Sequence, residues 1–456
     1  MSTGTSAKRQ VLNPEGTELA PDIPASAAVL VEPFVFVGST TASDYATGLS
    51  ADALPDPGLP LSGKNPKRLE TEKIYARIGA CLEAGGSSFD RTIQVNQWVA
   101  CFHGEDAARP YTENRNWDPE LFEHWREIVD IMLRVRDENI LEARPASTCM
   151  PIDRLLCTDT HVEVEMVGVT RASGIEKNAY EHSVHVPMGG YSIGIETGPW
   201  LFTAGFIATD FVSGLHPDAK IPEDVWYGNQ PASELNNVLD QLKVTVEAGN
   251  ARWEDTVKAE LYLSPWAMRN LPEIEEVWRK HWPTDPPARA IVPVGGVGLR
   301  PLNIEVNLIV ARPDQGGDRE VIETDRALAP IGHAPQAIRS GPLLFLSGQL
   351  GRTPTGPPAA TAASDATFPH LRRSVTEQLR LIQENANAIC EAAGTSLDEA
   401  VKSNLHFSDF NDLGAALPVW AQGFANGYPA SGFYEGPPAT MEVPGCRVAA
   451  DLTIAC

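Results

Sequence analysis

Two charged residues in the second half of the chain have the types and the spacing to bind a small carboxylate and to activate water. Arg289 and Glu305 lie equidistant from Val297, within the glycine-rich segment Gly295–Gly298. A chain reversal there predicts facing strands with the two side chains within reach of each other. The planar guanidinium donates two parallel hydrogen bonds to a carboxylate, and a glutamate accepts a proton from water. A solvated cross-strand ion pair is the alternative interpretation of these residues alone.

Other candidates for chemistry are weaker. His182 and His185 have the i, i+3 spacing of metal ligands, but their segment is predicted as a strand and no third ligand stands at a fixed spacing. Cys149 is interpreted as a buried strand cysteine, because a reactive thiol needs a positive neighbour that lowers its pKa. The sequence therefore predicts neither a metal nor an organic cofactor.

The elements that must position these side chains recur three times along the chain. One segment is repeated as Glu83–Ile93, Glu247–Val257 and Glu391–Val401. In each copy an apolar stripe with helical spacing precedes a glycine, and an alternating strand follows it. Upstream, Gly198–Gly205 matches Gly341–Gly348 as an apolar strand. Each copy therefore predicts a helix packed on a sheet, with a period of about one domain.

The repeats predict three units of the α+β class, each a mixed sheet with helices on one face. Residues 1–24 are expected to be a flexible tail, 25–171 the first unit, 172–319 the second and 320–456 the third. The first unit carries an insertion at 104–126. Because each sheet is covered on one face only, we expect the units to close around a pseudo-threefold axis, as a monomeric pseudo-trimer or a higher homo-oligomer.

The composition argues against several classes of protein. The 456 residues include 36 Lys+Arg and 60 Asp+Glu, and the net charge of -24 repels phosphate backbones and anionic lipids. Seven cysteines without a C-x-x-C pair indicate neither a disulfide framework nor a zinc knuckle. No apolar run has the length of a membrane span, and Met1–Gln10 lacks the apolar region of a secretion signal. We expect a cytoplasmic protein that binds neither nucleic acid nor membrane.

Parts of the second and third units resemble the Rid family (reactive intermediate deaminases, also called YjgF or endoribonuclease L-PSP proteins). Ala329–Gln349 is similar to the family's opening hairpin, which runs G-P-Y-S-Q-A and then F-x-S-G-Q. Pro287–Val294 and Asn303–Val310 are similar to its closing strands, P-A-R-x-x-V-x-V and V-E-I-E-x-I-A. The family forms homotrimers with ligand sites between subunits. The resemblance therefore implies three tandem Rid-like domains of chorismate-mutase-like fold, with three clefts between them.

The resemblance also implies which residues form the active cleft. In the family an arginine holds the substrate carboxylate and a glutamate positions water, and Arg289 and Glu305 stand at these two positions. Tyr191 matches the family's early tyrosine, and Gly205 and Phe206 complete the implied substrate-binding set. The second unit is expected to carry the active cleft.

The first and third units depart from the family pattern. The first unit has Ser147 at the arginine position but keeps Cys149 and Glu163 aligned, which marks a possible second cleft. In the third unit, Thr440 is aligned with the arginine position, and Ala449 lies near the glutamate position. We expect these two clefts to be inert or to bind a different molecule.

The residues and the resemblance imply a cofactor-independent hydrolase that deaminates an imine, an enamine or a related C–N bond of a small carboxylate-bearing metabolite. Two alternatives remain. One is a hydrolase or lyase acting on a cyclic carboxylate, because Rid-like folds have also been adapted to chorismate hydrolysis. The other is a non-catalytic ligand-binding pseudo-trimer, which the loss of the arginine in two units favours.

The charge of the chain gives a first testable prediction. The protein should not bind RNA in a salt-dependent manner, because a net charge of -24 without a basic stripe releases no counterions from phosphate. Fluorescence anisotropy of labelled single-stranded RNA at low and at physiological salt measures this. A micromolar complex that weakens as salt is added would contradict the prediction.

Overall fold

Three β-sheets follow one another along the chain, one in each predicted unit. The computed structural model describes residues 9–45, 48–59, 63–100, 119–157, 159–180, 190–212, 214–222, 228–299, 302–358, 374–437 and 440–456. The first sheet ends at Val169, the second runs from Lys177 to Ala311 and the third begins at Glu320. Each sheet is mixed and has its helices on one face, which confirms the expected α+β class.

The first unit contains, within its described residues, six strands and two long helices. They are β1 (Gln10–Leu12), β2 (Ala28–Val31), β3 (Phe34–Thr40), α1 (Pro66–Ala84), β4 (Thr92–Ala100), α2 (Pro119–Asn139), β5 (Ala146–Ile152) and β6 (Val162–Val169). The sheet order is β1-β2-β3-β6-β4-β5. Strands β4 and β5 run parallel because α2 carries the chain back between them, and the other neighbours are antiparallel.

The second and third units repeat this plan. The second consists of β7 (Lys177–Tyr180), β8 (Gly194–Thr197), β9 (Trp200–Thr203), β10 (Phe206–Ile207), α3 (Gln230–Ala248), β11 (Thr256–Leu263), α4 (Pro265–Arg269), α5 (Leu271–His281), β12 (Ala288–Pro293) and β13 (Ile304–Ala311). The third consists of β14 (Glu320–Ile322), β15 (Ala337–Ser340), β16 (Leu343–Leu346), β17 (Gln349–Leu350), α6 (Ser374–Ala392), β18 (Ala400–Phe407), α7 (Leu413–Ala421), β19 (Ala430–Glu435) and β20 (Val448–Ala455). In both sheets the crossover strand, β12 or β19, again runs parallel to its neighbour.

Local sequence explains the helices, as α3 illustrates. The helix begins after Asn229, whose side chain accepts the backbone N–H of Ala232, and Pro231 stands in its first turn. Its buried face holds the predicted stripe of Leu235, Val238, Leu239, Leu242 and Val246. It ends at Gly249, where a Cβ would overlap the side chain of Leu201. None of the described helices is both long enough and apolar enough to cross a membrane.

The N-terminal segment differs from the expected flexible tail. Gln10–Leu12 pairs with β2 as the edge strand of the first sheet. Arg9 donates hydrogen bonds to the carbonyl oxygens of Ala400, Asn426 and Gly427 in the third unit. This part of the tail is therefore held between two units. Of the predicted insertion, 104–118 lies outside the described residues, and 119–126 forms the first turns of α2.

Backbone hydrogen bonds join the three units in a ring. Gly205 N donates to Ser147 O at 3.0 Å, and Gly348 N donates to Arg289 O at 2.9 Å. These bonds link the crossover strand of one unit to the opening hairpin of the next. Ser26 N of the first unit donates to Pro429 O of the third at 2.9 Å and closes the ring. The three units therefore surround a common axis, as expected.

The sheet faces without helices pack against one another inside this ring. The rings of Phe34, in the first unit, and Trp200, in the second, lie 5.0 Å apart between centroids. The Trp200 indole N–H also donates to Ser340 Oγ of the third unit at 2.9 Å, and all three side chains are buried. One indole thus contacts all three units.

Buried charges also cross the interfaces between units. Lys258 of the second unit pairs with Asp451 of the third, and Lys402 of the third pairs with Glu165 of the first at 3.1 Å. Lys258 and Lys402 occupy the same register position in β11 and β18, so one kind of ion pair recurs at two interfaces. Each lysine meets an acid, which offsets part of the cost of removing both charges from water.

Trp200→Ala should destabilise the whole chain. The change removes a buried indole shared by three units, and such truncations cost about 3–5 kcal/mol. The midpoint of urea unfolding, followed by circular dichroism, should therefore fall clearly below that of the wild type. Trp266→Ala is the matched control because Trp266 is 41% exposed, and its midpoint should stay close to wild type. Equal midpoints for the two variants would contradict a core shared by the units.

Candidate active site

The glutamate position of the second unit has a counterpart in each of the other two. Glu163, Glu305 and Ala449 each pair with the same position of the neighbouring strand, in β4, β11 and β18 respectively. Glu163 and Ala449 therefore occupy the register position of Glu305 in the first and third sheets. Three clefts of the ring share one plan but hold different side chains.

The arginine position has a different counterpart in the third unit from the one expected. Arg289, Ser147 and Ser431 are each the second residue of a crossover strand, with equivalent parallel pairing. Thr440 lies after β19 and is not the counterpart of Arg289. The sequence contains two Pro-Ala pairs in this region, and the strand register selects the one at 429–430.

Arg289 and Glu305 do not lie on neighbouring strands, contrary to expectation. Strand β11 separates β12 from β13, because the crossover places β12 parallel to β11 at the sheet edge. Arg289 Nη1 pairs with Glu275 of α5 at 2.8 Å, and Nη2 donates to Ile331 O of the third unit at 3.1 Å. Its guanidinium carbon lies 5.0 Å from the centre of the Trp278 ring, and the side chain is 3% exposed. The expectation that Arg289 shares a cleft with Glu305 is therefore wrong.

Glu305 instead lines a cavity of about 450 Å³ between the first and second units. The second unit contributes Tyr191, Gly205, Ile207, Phe211, Leu299 and Glu305, and the first unit contributes the crossover-strand residues Ser147 and Cys149. Tyr191 and Gly205 line the same cavity as Glu305, so these three residues, which the family resemblance grouped, are neighbours. Phe206 does not line the cavity, because its side chain is buried in the core. Successive strand residues point to opposite faces, so its neighbour Ile207 lines the cavity instead.

The Glu305 carboxyl is buried without a partner. It is 6% exposed, and no described residue donates a hydrogen bond to it or forms an ion pair with it. Burial therefore raises the pKa of Glu305 well above its ordinary value, which favours the neutral acid. Gly205 makes room for this group, because a Cβ at that position would overlap the carboxyl oxygen. The cavity thus contains a proton donor that is not engaged by the protein.

Two other groups beside Glu305 also stay protonated. Burial raises the pKa of the Cys149 thiol and of the Tyr191 hydroxyl, and the nearby Glu305 carboxyl raises both further when it is ionised. The positive charge of Arg136 opposes the rise in both cases. Cys149 is therefore a thiol and a poor nucleophile, whereas the Tyr191 hydroxyl can donate a hydrogen bond to a ligand.

Cys149 and Glu163 do not form a second cleft together. Cys149 belongs to the cavity of Glu305, whereas Glu163 accepts hydrogen bonds from Ser39 Oγ and from Leu156 N. Burial raises the pKa of Glu163 to about 7, and these two hydrogen bonds oppose the rise. Ser39 is the counterpart of Gly205, because each follows a residue that makes the same backbone hydrogen bond in its own unit. These bonds run from Gly38 N to Ala27 O and from Ala204 N to Ile193 O, both at 2.9 Å. A serine hydroxyl therefore engages the carboxyl of the first unit, where the second unit has a glycine.

One wall of the cavity comes from α2 and was missed from the sequence. Trp125, Val129 and Leu133 repeat at i, i+4 and line the cavity, as do Arg126 and Asp130 one position further on. This helical spacing is the signal that could have identified the wall, but it begins inside the predicted insertion. Arg126 supplies a positive charge that the expected site had assigned to Arg289. Within the described part of the chain, no cluster of three or more His, Cys, Asp or Glu side chains could hold a metal ion.

The chain has relatives among known proteins. A RutC family protein of Pyrococcus horikoshii is 35% identical over 112 residues, which are 25% of this chain and 80% of that protein. The 2-iminobutanoate/2-iminopropanoate deaminase of Capra hircus is 32% identical over 117 residues, 26% of this chain and 77% of the relative. A crystal structure of a chorismatase covers 80% of this chain and 93% of its own, with 14% sequence identity and a TM-score of 0.48.

A family model agrees with the repeats seen in the sequence and in the sheets. The model described as Endoribonuclease L-PSP matches residues 182–312 and again 324–446, together more than half of the chain. The two matches fall on the second and third units, and the first unit repeats their sheet order. The chain therefore belongs to the endoribonuclease L-PSP family, also called the Rid family.

Proposed function

We propose that the protein hydrolyses the C=N bond of a carboxylate-bearing imine, or the corresponding enamine, in the cavity between the first and second units and releases ammonia. The observation that carries this proposal is the buried Glu305 carboxyl, which faces the cavity beside Gly205 without a hydrogen-bond donor among the described residues. A neutral acid in a largely apolar cavity is suited to protonate a nitrogen base. The relative in Capra hircus, named as a deaminase of imino acids, supports the reaction class.

In this proposal Glu305 acts first as an acid and then as a base. It gives its proton to the imine nitrogen, which makes the imine carbon electrophilic. The resulting carboxylate accepts a proton from water while the water oxygen attacks that carbon and forms a carbinolamine. Protonation of the amine by Glu305 then allows the C–N bond to break, and the hydroxyl proton returns to Glu305 as the carbonyl forms. One water is consumed, one ammonia leaves, and Glu305 ends as it began.

The rest of the cavity has two roles in this reaction. Tyr191 keeps its hydroxyl proton and can donate a hydrogen bond to the substrate. Ile207, Phe211 and Leu299 provide apolar surface that limits bulk water around the proton transfers.

The neutral state of Glu305 also favours one second candidate, a hydrolase or lyase that protonates a cyclic carboxylate. Ammonia released from imines identifies the first candidate, whereas loss of a cyclic carboxylate such as chorismate without ammonia identifies the second. Ligand binding without turnover of either class would leave a non-catalytic pseudo-trimer.

Glu305→Gln should abolish most of the activity with the fold intact. Glutamine keeps the shape of the side chain but can neither give nor accept the proton, and loss of a general acid or base lowers kcat by about 10²–10⁴-fold. Ammonia release from freshly generated 2-iminobutanoate, above the spontaneous rate, measures this. Glu163→Gln is the matched control at the equivalent register position and should keep the wild-type rate. The assignment fails if the control loses activity while Glu305→Gln retains it.

The raised pKa of Glu305 also predicts a stability that depends on pH. The unfolded chain releases this proton near the ordinary glutamate pKa of about 4.3, whereas the folded protein keeps it to higher pH. The raised pKa therefore lowers the free energy of unfolding of the wild type. This loss is absent below the ordinary glutamate pKa and grows as pH rises towards the pKa of Glu305 in the folded protein. Glutamine does not titrate, so Glu305→Gln should be more stable than the wild type near neutral pH, and this gain should shrink towards pH 4.

Thermal unfolding of both proteins across this pH range provides the measurement. A difference in Tm between wild type and Glu305→Gln that does not change with pH would show that the Glu305 carboxyl is not held neutral by the fold.

A further inference from the structure

An ion pair occupies one cleft of the ring and is missing from the cleft that contains the cavity. Between the second and third units, Arg289 pairs with Glu275 at 2.8 Å and covers the ring of Trp278. The counterpart of Arg289 between the first and second units is Ser147, which lines the cavity. A long cationic side chain is therefore replaced by a short one at the cavity wall.

Glu275, the ion-pair partner of Arg289, is replaced in the first unit as well. An alignment of α2 with α5 shows which residue takes its position. Arg136 of α2 and Trp278 of α5 each donate a side-chain hydrogen bond to a backbone carbonyl in the opening segment of the next unit, at 3.2 and 2.8 Å. Both helices are followed by their crossover strand after the same number of residues. With the helices aligned in this way, Leu133 stands at the position of Glu275. Leu133 also lines the cavity.

The two replacements leave space with an apolar lining. The cavity volume of about 450 Å³ corresponds to about fifteen water molecules in the liquid. Trp125, Val129 and Leu133 form its wall on α2, and Ile207 and Phe211 line it from the second unit. This volume is larger than a small imino acid such as 2-iminobutanoate fills, and the apolar lining matches a ligand with a ring.

A cation is still supplied to the cavity, from a different element. Arg126 is exposed where it lines the cavity, and no described residue forms an ion pair with it. Asp130, one helical turn further on, lines the cavity too and disfavours a second negative charge on the ligand. The Ser147 hydroxyl accepts a hydrogen bond from Gln97 at 2.8 Å and contributes no charge. A ligand with a single carboxylate therefore fits these charges best.

We propose that the cavity binds a monocarboxylate with an aromatic or other ring-sized apolar body, with the carboxylate on Arg126 and the body in the space left by the missing ion pair. The proposal deepens the proposed function, since it places the substrate beside Glu305. It is tested by binding, which needs no turnover.

Isothermal titration calorimetry of the full chain with two 2-oxo acids tests the preference for a ring. Phenylpyruvate should bind at least tenfold more tightly than 2-oxobutanoate, because only the former covers the apolar wall. Arg126→Met should weaken phenylpyruvate binding roughly tenfold but leave binding of its neutral methyl ester unchanged. Arg134→Met, at an exposed arginine of the same helix that does not line the cavity, is the matched control and should bind as the wild type does. Equal affinity for the two acids, or an Arg126→Met variant that binds phenylpyruvate normally, overturns the proposal.

A second variant tests the missing ion pair. Leu133→Glu combined with Ser147→Arg rebuilds the pair seen between the second and third units and should fill the cavity. Phenylpyruvate affinity should then fall by more than tenfold while circular dichroism stays that of the wild type. Retention of wild-type affinity in this folded double variant would overturn the proposal.

The results also separate this proposal from the proposed function. Hydrolysis of small imines without any preference for phenylpyruvate would overturn the ligand class and leave the reaction standing. Phenylpyruvate binding that depends on Arg126, without ammonia release from small or aromatic imines, would support the ligand class and overturn the reaction.

Discussion

A sheet covered by helices on one face has to bury its other face, and in this protein each sheet does so against the other two units. Trp200 shows how closely the faces are joined, since it packs on Phe34 and donates to Ser340. Backbone hydrogen bonds such as Gly205 N to Ser147 O set the spacing of neighbouring units. Every cleft therefore lies between the crossover strand of one unit and the opening hairpin of the next.

Fusion of the three units allows each cleft to be completed differently. Arg289 is neutralised by Glu275 in one cleft, and Glu163 is engaged by Ser39 in another. Buried charged and polar groups are costly unless they are paired, so both arrangements offset part of the cost of burial. Glu305 alone among the three equivalent positions is a carboxyl without a described partner. Such a group is retained at a cost in stability, which is typical of a functional residue.

The arginine and glutamate that the family resemblance implied for one site are separated by this architecture. Arg289 faces the third unit, whereas Glu305 faces the first. The cavity beside Glu305 is consequently built from two units that are not equivalent, with α2 supplying an apolar wall and Arg126. The walls of one cleft can therefore differ from those of the other two within a single chain.

The sequence by itself determined the three repeats, the helices with their caps and the family, because helical stripes, cap residues and motifs depend on neighbours along the chain. The resemblance to the family grouped Tyr191, Gly205 and Glu305, and these three residues line one cavity. Only the tertiary structure decided that β11 separates Arg289 from Glu305, and that α2 closes the cavity. Strand order and contacts between units join residues that are distant in the chain, and the spacing of residues along a sequence does not specify which distant surfaces meet.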